Sequence, residues 1–328
     1  MSPIKLGVIG LGYIGQIHLR HIKRILNAQV VAAADLSKKA LTKARNNGVE
    51  NTYSNYEQLL ENPEIDAVII ALPTHLHLEC ALRAAEAKKH IFLEKPIARN
   101  VKEAKEIVSA AYKNSVKLMV GYPLRFNTEF RELKQRISKG EFGDVEIAYA
   151  TYISSGPFFH RAEGYAPVPV PEWWFNKELT GGGVLIDLGS HIINLLRWYF
   201  GEITDIRAQL GYRFNMDVED SAMCLARFQN GTRAAVNVGW FSQQYQLKVD
   251  LLGSVKHATL SHVPSNPIST VIQMLTSGTS RFYFPHKSEL QYFVDCLIRE
   301  LNPEPSGQDG LKDLETITKA YENQIHLE

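Results

Sequence analysis

The chain has 328 residues, of which 45% are hydrophobic and 22% charged, and 36 basic against 35 acidic residues give a formal net charge of +1. This length predicts about two domains that bury sizeable cores. The near-neutral charge, without a long basic run, argues against nucleic acid or an anionic membrane surface as a partner.

The start of the chain and its cysteines indicate the compartment. The sequence enters a strand-like run within a few residues, and no uninterrupted apolar stretch reaches the length of a membrane span. Cys80, Cys224 and Cys296 are far apart and lack C-x-x-C spacing, which favours buried thiols over disulfides or a zinc site. We therefore expect a cytoplasmic protein without a signal peptide or membrane anchor.

The first forty residues contain a dinucleotide-binding pattern. An apolar run over residues 6–9 leads into Gly10-Leu11-Gly12-Tyr13-Ile14-Gly15, and a second apolar run over residues 30–34 ends in Asp35. A G-x-G-x-x-G turn between a strand and a helix, followed by an acid about twenty residues later, is typical of dinucleotide sites. The alternative is a glycine-rich turn without a ligand, which the flanking strands and the acid argue against.

Each residue of this pattern has a physical role. Gly10 allows the tight turn, Gly12 lets the backbone approach a pyrophosphate, and Gly15 lets the helix pack on the sheet. Asp35 is placed to accept hydrogen bonds from the ribose hydroxyls, and its charge would repel a 2′-phosphate, which favours NAD. Ser37, Lys38 and Lys39 follow and keep NADP as the alternative cofactor.

Strand-like and helical patterns alternate in the first part of the chain, which predicts a doubly wound parallel sheet covered on both faces. The predicted strands are residues 6–9, 30–34, 67–72, 90–93 and 117–120, and the predicted helices are residues 14–26, 38–46, 56–60, 75–87 and 101–114. We place the domain boundary after residue 121, so that residues 1–121 form a Rossmann domain.

Residues 122–328 are predicted to form an α+β domain for substrate binding and oligomerisation. A helix over residues 129–139 precedes alternating runs at residues 146–152, 205–210, 221–228, 233–241 and 246–252. These runs predict a largely antiparallel open sheet with one face packed on helices and the other available for a homodimer or homotetramer contact. Residues 311–328 predict a closing helix, which we expect to pack back on the first domain.

Two predicted strands end in segments that carry chemistry. Leu72, Pro73 and Thr74 follow the third strand, with His75 and His77 at the next helix start, and Glu94-Lys95-Pro96 ends the fourth. Ligands of open parallel sheets bind beyond the carboxyl ends of the strands, so both tips are expected near a nicotinamide. Pro96 favours extended backbone at Lys95 and thereby aims the Lys95 ammonium at the site. The alternative is that Lys95 is an ordinary surface lysine.

A third segment lies in the second domain. Gly181-Gly182-Gly183 precedes a helical pattern in which Asp187, His191, Asn194 and Trp198 share a stripe. A carboxylate four residues before a histidine can fix the tautomer of the imidazole and prepare it for proton transfer. The alternatives are a buried, satisfied pair or a fragment of a metal site, but no H-E-x-x-H spacing supports a metal.

Together these motifs resemble the glucose–fructose oxidoreductase, inositol dehydrogenase and rhizopine-catabolism (Gfo/Idh/MocA) family of NAD(P)-dependent oxidoreductases, over essentially the whole chain. The resemblance rests on the glycine fingerprint, Pro73-Thr74-His75, Glu94-Lys95-Pro96, the 121–126 segment with Arg125, and the run from Gly181 to His191. It implies a Rossmann domain, an open-sheet domain that makes dimer or tetramer contacts, and catalytic roles for Lys95, Asp187 and His191.

The resemblance and the motifs give a list of expected ligand contacts. The cofactor is expected at Gly10, Gly12, Tyr13, Ile14, Gly15, Asp35, Leu72, Pro73, Thr74, His77, Glu94, Lys95 and Arg125, and the substrate at Tyr152, His160 and Trp174. The sequence departs from the family where Tyr122-Pro123-Leu124 precedes Arg125, where Phe175 follows Trp174, and where Asn194 replaces a common Asp. These departures concern the substrate contacts more than the hydride transfer.

The predicted reaction is reversible oxidation of a secondary hydroxyl on a sugar, cyclitol or related polyol. His191 would take the hydroxyl proton, Asp187 would orient it, and Lys95 would stabilise the developing alkoxide, although Lys95 and His191 are also plausible in exchanged roles. One alternative is an NAD-dependent glycosidase with the same hydride site. Another is a dinucleotide-binding sensor on a dehydrogenase fold, against which the presence of all three residues argues.

Overall fold

The computed structural model describes residues 2–156, 160–161, 167–168, 171–242, 244–262 and 285–325. The chain divides into two compact units. The first comprises Met1–Pro123 and Pro285–Leu314, and the second comprises Leu124–Phe284 and Glu315–Glu328. Each unit is therefore built from two separate stretches of sequence.

The helices of the described chain follow the predicted pattern closely in the first part. They are α1 (Tyr13–Ile22), α2 (Lys38–Asn46), α3 (Tyr56–Leu60), α4 (His77–Glu86), α5 (Val101–Lys113), α6 (Thr128–Ser138), α7 (Lys177–Thr180), α8 (Val184–Phe200), α9 (His286–Ile298) and α10 (Gly307–Glu322). Polar caps fix several starts, since Ser37, Asn100 and Asn127 accept backbone N–H groups of α2, α5 and α6.

The first unit contains a six-stranded parallel sheet. Its strands are β1 (Ile4–Ile9), β2 (Ala28–Ala34), β3 (Asn51–Tyr53), β4 (Ala67–Ile70), β5 (His90–Glu94) and β6 (Leu118–Gly121), in the order β3-β2-β1-β4-β5-β6. This order confirms the predicted Rossmann sheet and places its switch point between β1 and β4, where ligands of such sheets bind.

The first unit differs from the prediction in several details, and its helix α9 was not predicted. Helix α1 ends at Ile22 rather than at residue 26, because the chain turns through Asn27, which has a positive φ, and β2 already begins at Ala28. Strand β3 was not predicted, since three residues are too few to show an alternating pattern.

The second unit contains a mixed sheet. Its strands are β7 (Val145–Ile153), β10 (Ile203–Gly211), β11 (Ser221–Phe228), β12 (Arg233–Gly239), β13 (Gln246–Gly253) and β14 (His257–His262), in the order β10-β11-β12-β7-β13-β14, while β8 (His160–Arg161) and β9 (Pro167–Val168) form a separate pair. All pairs of the large sheet are antiparallel except β12 with β7. The predicted antiparallel character is confirmed, but β14 and the β8–β9 pair were not predicted.

The two faces of this sheet differ. The apolar residues Ala234, Val236 and Val238 of β12 are buried, and α8 packs on β7, β11 and β12. The opposite face carries Met223 and Leu225, each 60% exposed, near Tyr149, which is 44% exposed. The sheet is therefore covered by a helix on one face, as its alternating sequence predicted.

Helix α8 is the buried centre of the second unit. Together with α7 and the glycines before it, α8 forms the stretch Lys177–Phe200, which is long and apolar enough to cross a membrane by length and composition, although Asp187 and Arg197 interrupt its apolar sequence. Within the structure, 83% of its most apolar window is buried. Burial of this extent is what the core helix of a soluble protein shows.

A buried carboxylate closes the N-terminus of α8. The Glu219 side chain accepts the N–H groups of Gly183 and Leu185, each at 2.9 Å, and the Tyr321 hydroxyl at 2.7 Å. A Cβ atom on Gly183 would lie 2.1 Å from the Glu219 carbonyl oxygen, and one on Gly182 would lie 2.2 Å from the Tyr321 hydroxyl. Glycine at 182 and 183 is therefore required by the close approach of Tyr321 and of the Glu219 backbone, and Gly181 has φ +86°.

We expect Glu219→Ala to lower the free energy of unfolding by about 3 kcal/mol or more, because two backbone donors and a hydroxyl lose their acceptor in a buried place. Denaturant unfolding followed by circular dichroism measures this loss. Glu146→Ala is the control, since the Glu146 side chain is 61% exposed, and it should change stability by less than about 0.5 kcal/mol. Equal effects of the two substitutions would contradict the role given to Glu219.

Candidate active site

The glycine loop has the shape that a pyrophosphate needs. Gly10 has φ +88°, a Cβ on it would lie 2.5 Å from the Ala71 carbonyl oxygen, and a Cβ on Gly15 would lie 1.9 Å from the Gly10 carbonyl oxygen. Around Gly12, by contrast, no atom of the described residues lies within 4 Å of such a Cβ. The open space is at the N-terminus of α1, where N–H groups and the helix dipole favour phosphate. Tyr13 and Ile14, which begin that helix, are also accessible. The loop therefore fits a dinucleotide.

Asp35 has a second role that the sequence did not reveal. Its Oδ2 accepts the N–H of Leu11 at 2.6 Å, and its Oδ1 accepts the N–H of Ser37 at 2.7 Å. The carboxylate thus ties the end of β2 to the glycine loop. Each carboxylate oxygen has a further lone pair, so hydrogen bonds from ribose hydroxyls remain compatible with this arrangement.

The tip of β4 is joined to the segment after β5 by a buried histidine. His77 is 1% exposed, and its Nε2 and Nδ1 lie 2.9 Å from the carbonyl oxygens of Leu72 and Pro96. Burial lowers the pKa of His77, and the two carbonyls oppose that shift. Leu72 and Pro73 are partly exposed, whereas Thr74 is buried. A cofactor contact at His77 stays a prediction, but its two backbone partners show that the ring connects both tips.

Lys95 lies at the tip of β5 beside a buried carboxylate. Its backbone N–H donates to Glu94 Oε2 at 3.3 Å, and Glu94 Oε1 lies 2.6 Å from His18 Nε2. Burial raises the pKa of Glu94, but the hydrogen bond and charge of His18 outweigh burial, so the pKa lies below its usual value. Glu94 is therefore an anion next to the half-buried Lys95.

In the second unit, the predicted stripe on α8 is present. Asp187 is half-buried, while His191 and Asn194 are buried. The Asp187 carboxylate accepts the indole N–H of Trp240 at 3.3 Å. Asp187 and His191 stand one helical turn apart, and the hydrogen bond expected between them stays a prediction. Trp240 was missed as a site residue, although it continues the apolar alternation of β12.

Aromatic side chains gather around this stripe. The Tyr152 ring centroid is 6.1 Å from that of His191 and 5.7 Å from that of Tyr245, and the Trp174 ring is 6.4 Å from Trp240. Burial, followed by the nearby Tyr245 and Asp187, raises the pKa of Tyr152 well above its usual value, and burial raises that of Tyr245 to about 12. Both hydroxyls thus stay protonated at neutral pH.

Two predicted residues remain to be placed. Arg125 is buried, donates from Nε to Asn194 Oδ1 at 2.7 Å, and lies 5.7 Å from the ring centroid of Trp198. Asn194 thus holds this arginine in the second unit, and a cofactor contact at Arg125 stays a prediction. The backbone of His160 belongs to β8, but its side chain lies outside the described residues.

Comparison with known proteins places the chain among sugar and cyclitol oxidoreductases. It is 28% identical over 343 residues to scyllo-inositol 2-dehydrogenase (NAD(+)) of Bacillus subtilis, covering 99% of this chain and 96% of that protein. It is 26% identical over 322 residues to myo-inositol 2-dehydrogenase of Thermotoga maritima, covering 94% and 92%. Its fold is similar to that of scyllo-inositol dehydrogenase from Lactobacillus casei, solved with NAD(H) and scyllo-inositol, with a TM-score of 0.82 at 23% identity over 98% and 97% of the two chains.

Family models match both parts of the sequence. Residues 4–122 match an oxidoreductase family with an NAD-binding Rossmann fold, and residues 130–258 match the GFO/IDH/MocA C-terminal domain. Because these matches cover more than half of the chain, and because the Rossmann strand order and the glycine loop agree with them, the chain belongs to the GFO/IDH/MocA family of NAD-binding oxidoreductases.

Proposed function

We propose that this protein is an NAD-dependent dehydrogenase that oxidises a secondary hydroxyl of a sugar, cyclitol or related polyol, with NADP as the less favoured cofactor. The observation that carries the proposal is Lys95, held beside the buried Glu94 anion at a strand tip of the unit that contains the dinucleotide loop. The relatives that act on inositols support this substrate class. The buried free thiols of Cys80, Cys224 and Cys296 suit the cytoplasm, which is part of the same proposal.

The first unit binds the cofactor in this proposal. The open backbone at Gly12 and the N-terminus of α1 hold the pyrophosphate, and Asp35 holds the ribose. When bound, the nicotinamide accepts a hydride from the carbinol carbon of the substrate. The side chains supply binding, orientation and proton transfer around that step.

Three side chains are assigned to the reacting hydroxyl. His191 accepts its proton, Asp187 orients and stabilises the resulting imidazolium, and the Lys95 ammonium stabilises the negative charge that develops on oxygen. Exchange of the roles of Lys95 and His191 is the alternative assignment. The hydrogen bond from Trp240 to Asp187 fixes the carboxylate in either case.

The aromatic side chains suit a polyhydroxylated substrate. Because the raised pKa values keep Tyr152 and Tyr245 protonated, their hydroxyls both donate and accept hydrogen bonds, as substrate hydroxyls do. Trp174 offers an apolar ring for the C–H face of a sugar or cyclitol. We therefore assign Tyr152 and Trp174 to substrate binding.

We also propose that the protein is a homodimer or homotetramer. The uncovered face of the second unit's sheet presents Met223 and Leu225 on β11 and Tyr149 on β7, in register across β12. Exposed apolar side chains that adjoin one another on a flat sheet face are typical of protein interfaces. A second copy of the chain is the partner assigned to this face.

We expect purified protein to reduce NAD with at least one member of a panel of inositols and sugars, and Lys95→Ala to lower kcat by about 100-fold or more, because a donor aimed at the alkoxide is lost. Absorbance of the reduced cofactor measures the rate. Lys102→Ala, at an exposed position of α5, is the control and should retain the wild-type rate.

Other outcomes of this assay have defined meanings. A Lys95→Ala variant as active as wild type would contradict the role of Lys95. Cleavage of a glycoside without net NADH would favour the glycosidase instead, and tight NAD binding without turnover of any panel member would favour a sensor.

Asp35→Ser should lower the ratio of kcat/KM for NAD to that for NADP by about tenfold or more. The variant loses charged hydrogen bonds to the ribose and the repulsion of a 2′-phosphate. The substitution also removes the hydrogen bonds from Leu11 and Ser37 to Asp35 and can loosen the loop. Because both cofactors bind the same loop, this loosening cancels in the ratio. Glu61→Ser, at an exposed acidic position, should leave the ratio as it is, and an unchanged ratio in Asp35→Ser would remove the basis for the NAD preference.

Leu225→Lys should convert the oligomer to a monomer, because a charge is placed in the centre of the apolar face. Light scattering coupled to size-exclusion chromatography gives the mass. Val255→Lys provides the matched control, since Val255 is 69% exposed in the turn between β13 and β14 and away from that face. A monomeric wild type, or an unchanged mass of Leu225→Lys, would refute the assigned interface.

A further inference from the structure

The first unit contains a buried cluster of ionisable side chains that the proposed reaction does not use directly. His18 on α1, Glu94 on β5, and His286 and Glu289 on α9 are all buried. The His18 ring packs edge-on against His286 at 5.5 Å and against Phe92 at 5.4 Å between centroids. His286 Nδ1 lies 3.6 Å from Glu289 Oε2.

The ionisable groups in this cluster have pKa values shifted in different directions. Burial, followed by the charge of His18, lowers the pKa of His286 to about 3, so this imidazole is neutral at pH 7, and burial raises the pKa of Glu289 well above its usual value. Glu94 is ionised. His21 also packs against His286, at 6.4 Å between ring centroids. Within the cluster, His18 is the hydrogen-bond partner of the Glu94 anion, with its Nε2 2.6 Å from Glu94 Oε1.

The contact between His18 and Glu94 is a hydrogen bond rather than half of a metal site. One ligand atom each of His18, Glu94 and His286 lie within 4.8 Å of one another, which is a spacing that metal sites also show. However, His18 Nε2 and Glu94 Oε1 are only 2.6 Å apart, whereas two ligands of a tetrahedral zinc at about 2.0 Å stand about 3.3 Å apart. A proton between the two atoms explains the distance, and the imidazole donates it.

The hydrogen bond continues to the reactive lysine. The other carboxylate oxygen of Glu94 accepts the backbone N–H of Lys95. Gly121, at the end of β6, leaves room for the carboxylate, since a Cβ there would lie 3.2 Å from Glu94 Oε2. Two hydrogen bonds thus connect helix α1 to the backbone of Lys95, one between His18 and Glu94 and one from the Lys95 N–H to Glu94. The first turn of α1 faces the space assigned to the pyrophosphate.

We propose that His18 is a positioning residue for Lys95, acting through Glu94. The proposal rests on the dehydrogenase function given above. The imidazole keeps Glu94 ionised and fixed, Glu94 holds the Lys95 backbone, and the ammonium is thereby aimed at the substrate oxygen. A small displacement of a catalytic group costs up to about 100-fold in rate, so this contact matters although it lies behind the site.

Three variants and a control separate positioning from folding. His18→Gln retains an N–H donor that reaches Glu94, His18→Leu removes it, and the double variant His18→Leu with Glu94→Gln also removes the buried charge. The control is His90→Leu, because His90 lies at the opposite end of β5 and accepts the Lys117 N–H. Each protein is measured for thermal unfolding, kcat, KM for NAD, and the dependence of kcat/KM on pH.

We expect His18→Leu to lower kcat by about 10- to 100-fold with a smaller change in KM for NAD, and His18→Gln to recover most of kcat. Without the His18 donor, the pKa of the buried Glu94 rises. As the pH falls, Glu94 therefore becomes protonated at a higher pH than in the wild type. The acid limb of kcat/KM should therefore shift upward by about one pH unit in His18→Leu and stay in place in His90→Leu.

The double variant decides whether the role is only structural. Removing the unpaired charge should restore the thermal midpoint while kcat stays low. Recovery of kcat together with stability, or an unshifted acid limb in His18→Leu, would overturn the proposal. Stoichiometric metal in the purified protein would also overturn it.

A readout without turnover separates this proposal from the proposed function. The rate at which an amine-modifying reagent labels Lys95, mapped by mass spectrometry, should change by about threefold or more in His18→Leu and not in His90→Leu. If wild type turns over no polyol, the dehydrogenase function fails, whereas the labelling still tests the link from His18 to Lys95. Equal labelling of Lys95 in all variants would refute that link.

Discussion

A buried carboxylate next to a candidate reactive group is the constraint on which each unit depends. Removing a carboxylate from water is costly unless hydrogen-bond donors surround it. Glu94 meets this requirement with His18 and the Lys95 backbone, and Glu219 meets it with Gly183, Leu185 and Tyr321. In each case the donors include the backbone of the segment that carries the candidate reactive group. Burial raises the pKa of Glu219, and the need to satisfy each buried carboxyl group with hydrogen bonds fixes the strand tip of Lys95 and the start of the helix of His191.

The same constraint explains why glycines stand where they do. Glycine at 183 lets the backbone of α8 approach Glu219, and glycine at 121 leaves room for the carboxylate of Glu94. Gly10 is required by the close approach of the Ala71 carbonyl after β4 and Gly15 by that of the Gly10 carbonyl, whereas open space surrounds Gly12 in the described part of the chain. Of these three glycines, Gly12 is the one that a ligand explains. The glycine fingerprint therefore combines two packing requirements with one position that leaves space for the pyrophosphate.

The sequence predicted those features that repeat along the chain. Alternation of apolar runs with helical stripes predicted the parallel sheet, and period-two alternation predicted most of the second sheet and the buried face of β12. Position after a strand was enough to single out Lys95, and helical spacing was enough to group Asp187 with His191. Among the elements that were missed, β3 and the β8–β9 pair are two or three residues long and carry no period.

Contacts between distant residues were outside the reach of such patterns. Glu219 and Tyr321 are separated by 102 residues, and His18 and Glu94 by 76. Neither pair has a local signal, because a carboxylate that caps a helix from a distant loop looks in sequence like any other acid. Asp187 illustrates the same limit, since its spacing suggested His191 as a partner, whereas the structure adds the indole of Trp240, the residue that follows β12.

In the second unit, the departures from the family pattern acquire a physical meaning. Asn194 accepts a hydrogen bond from Arg125 as an aspartate would, but the amide is neutral. The Arg125–Asn194 pair therefore keeps one positive charge, which an arginine–aspartate pair would cancel. A retained charge stabilises electron-rich groups such as hydroxyl oxygens and anions in its neighbourhood. An amide in place of a carboxylate thus changes the potential in the second unit, while the hydrogen bond from the arginine is kept.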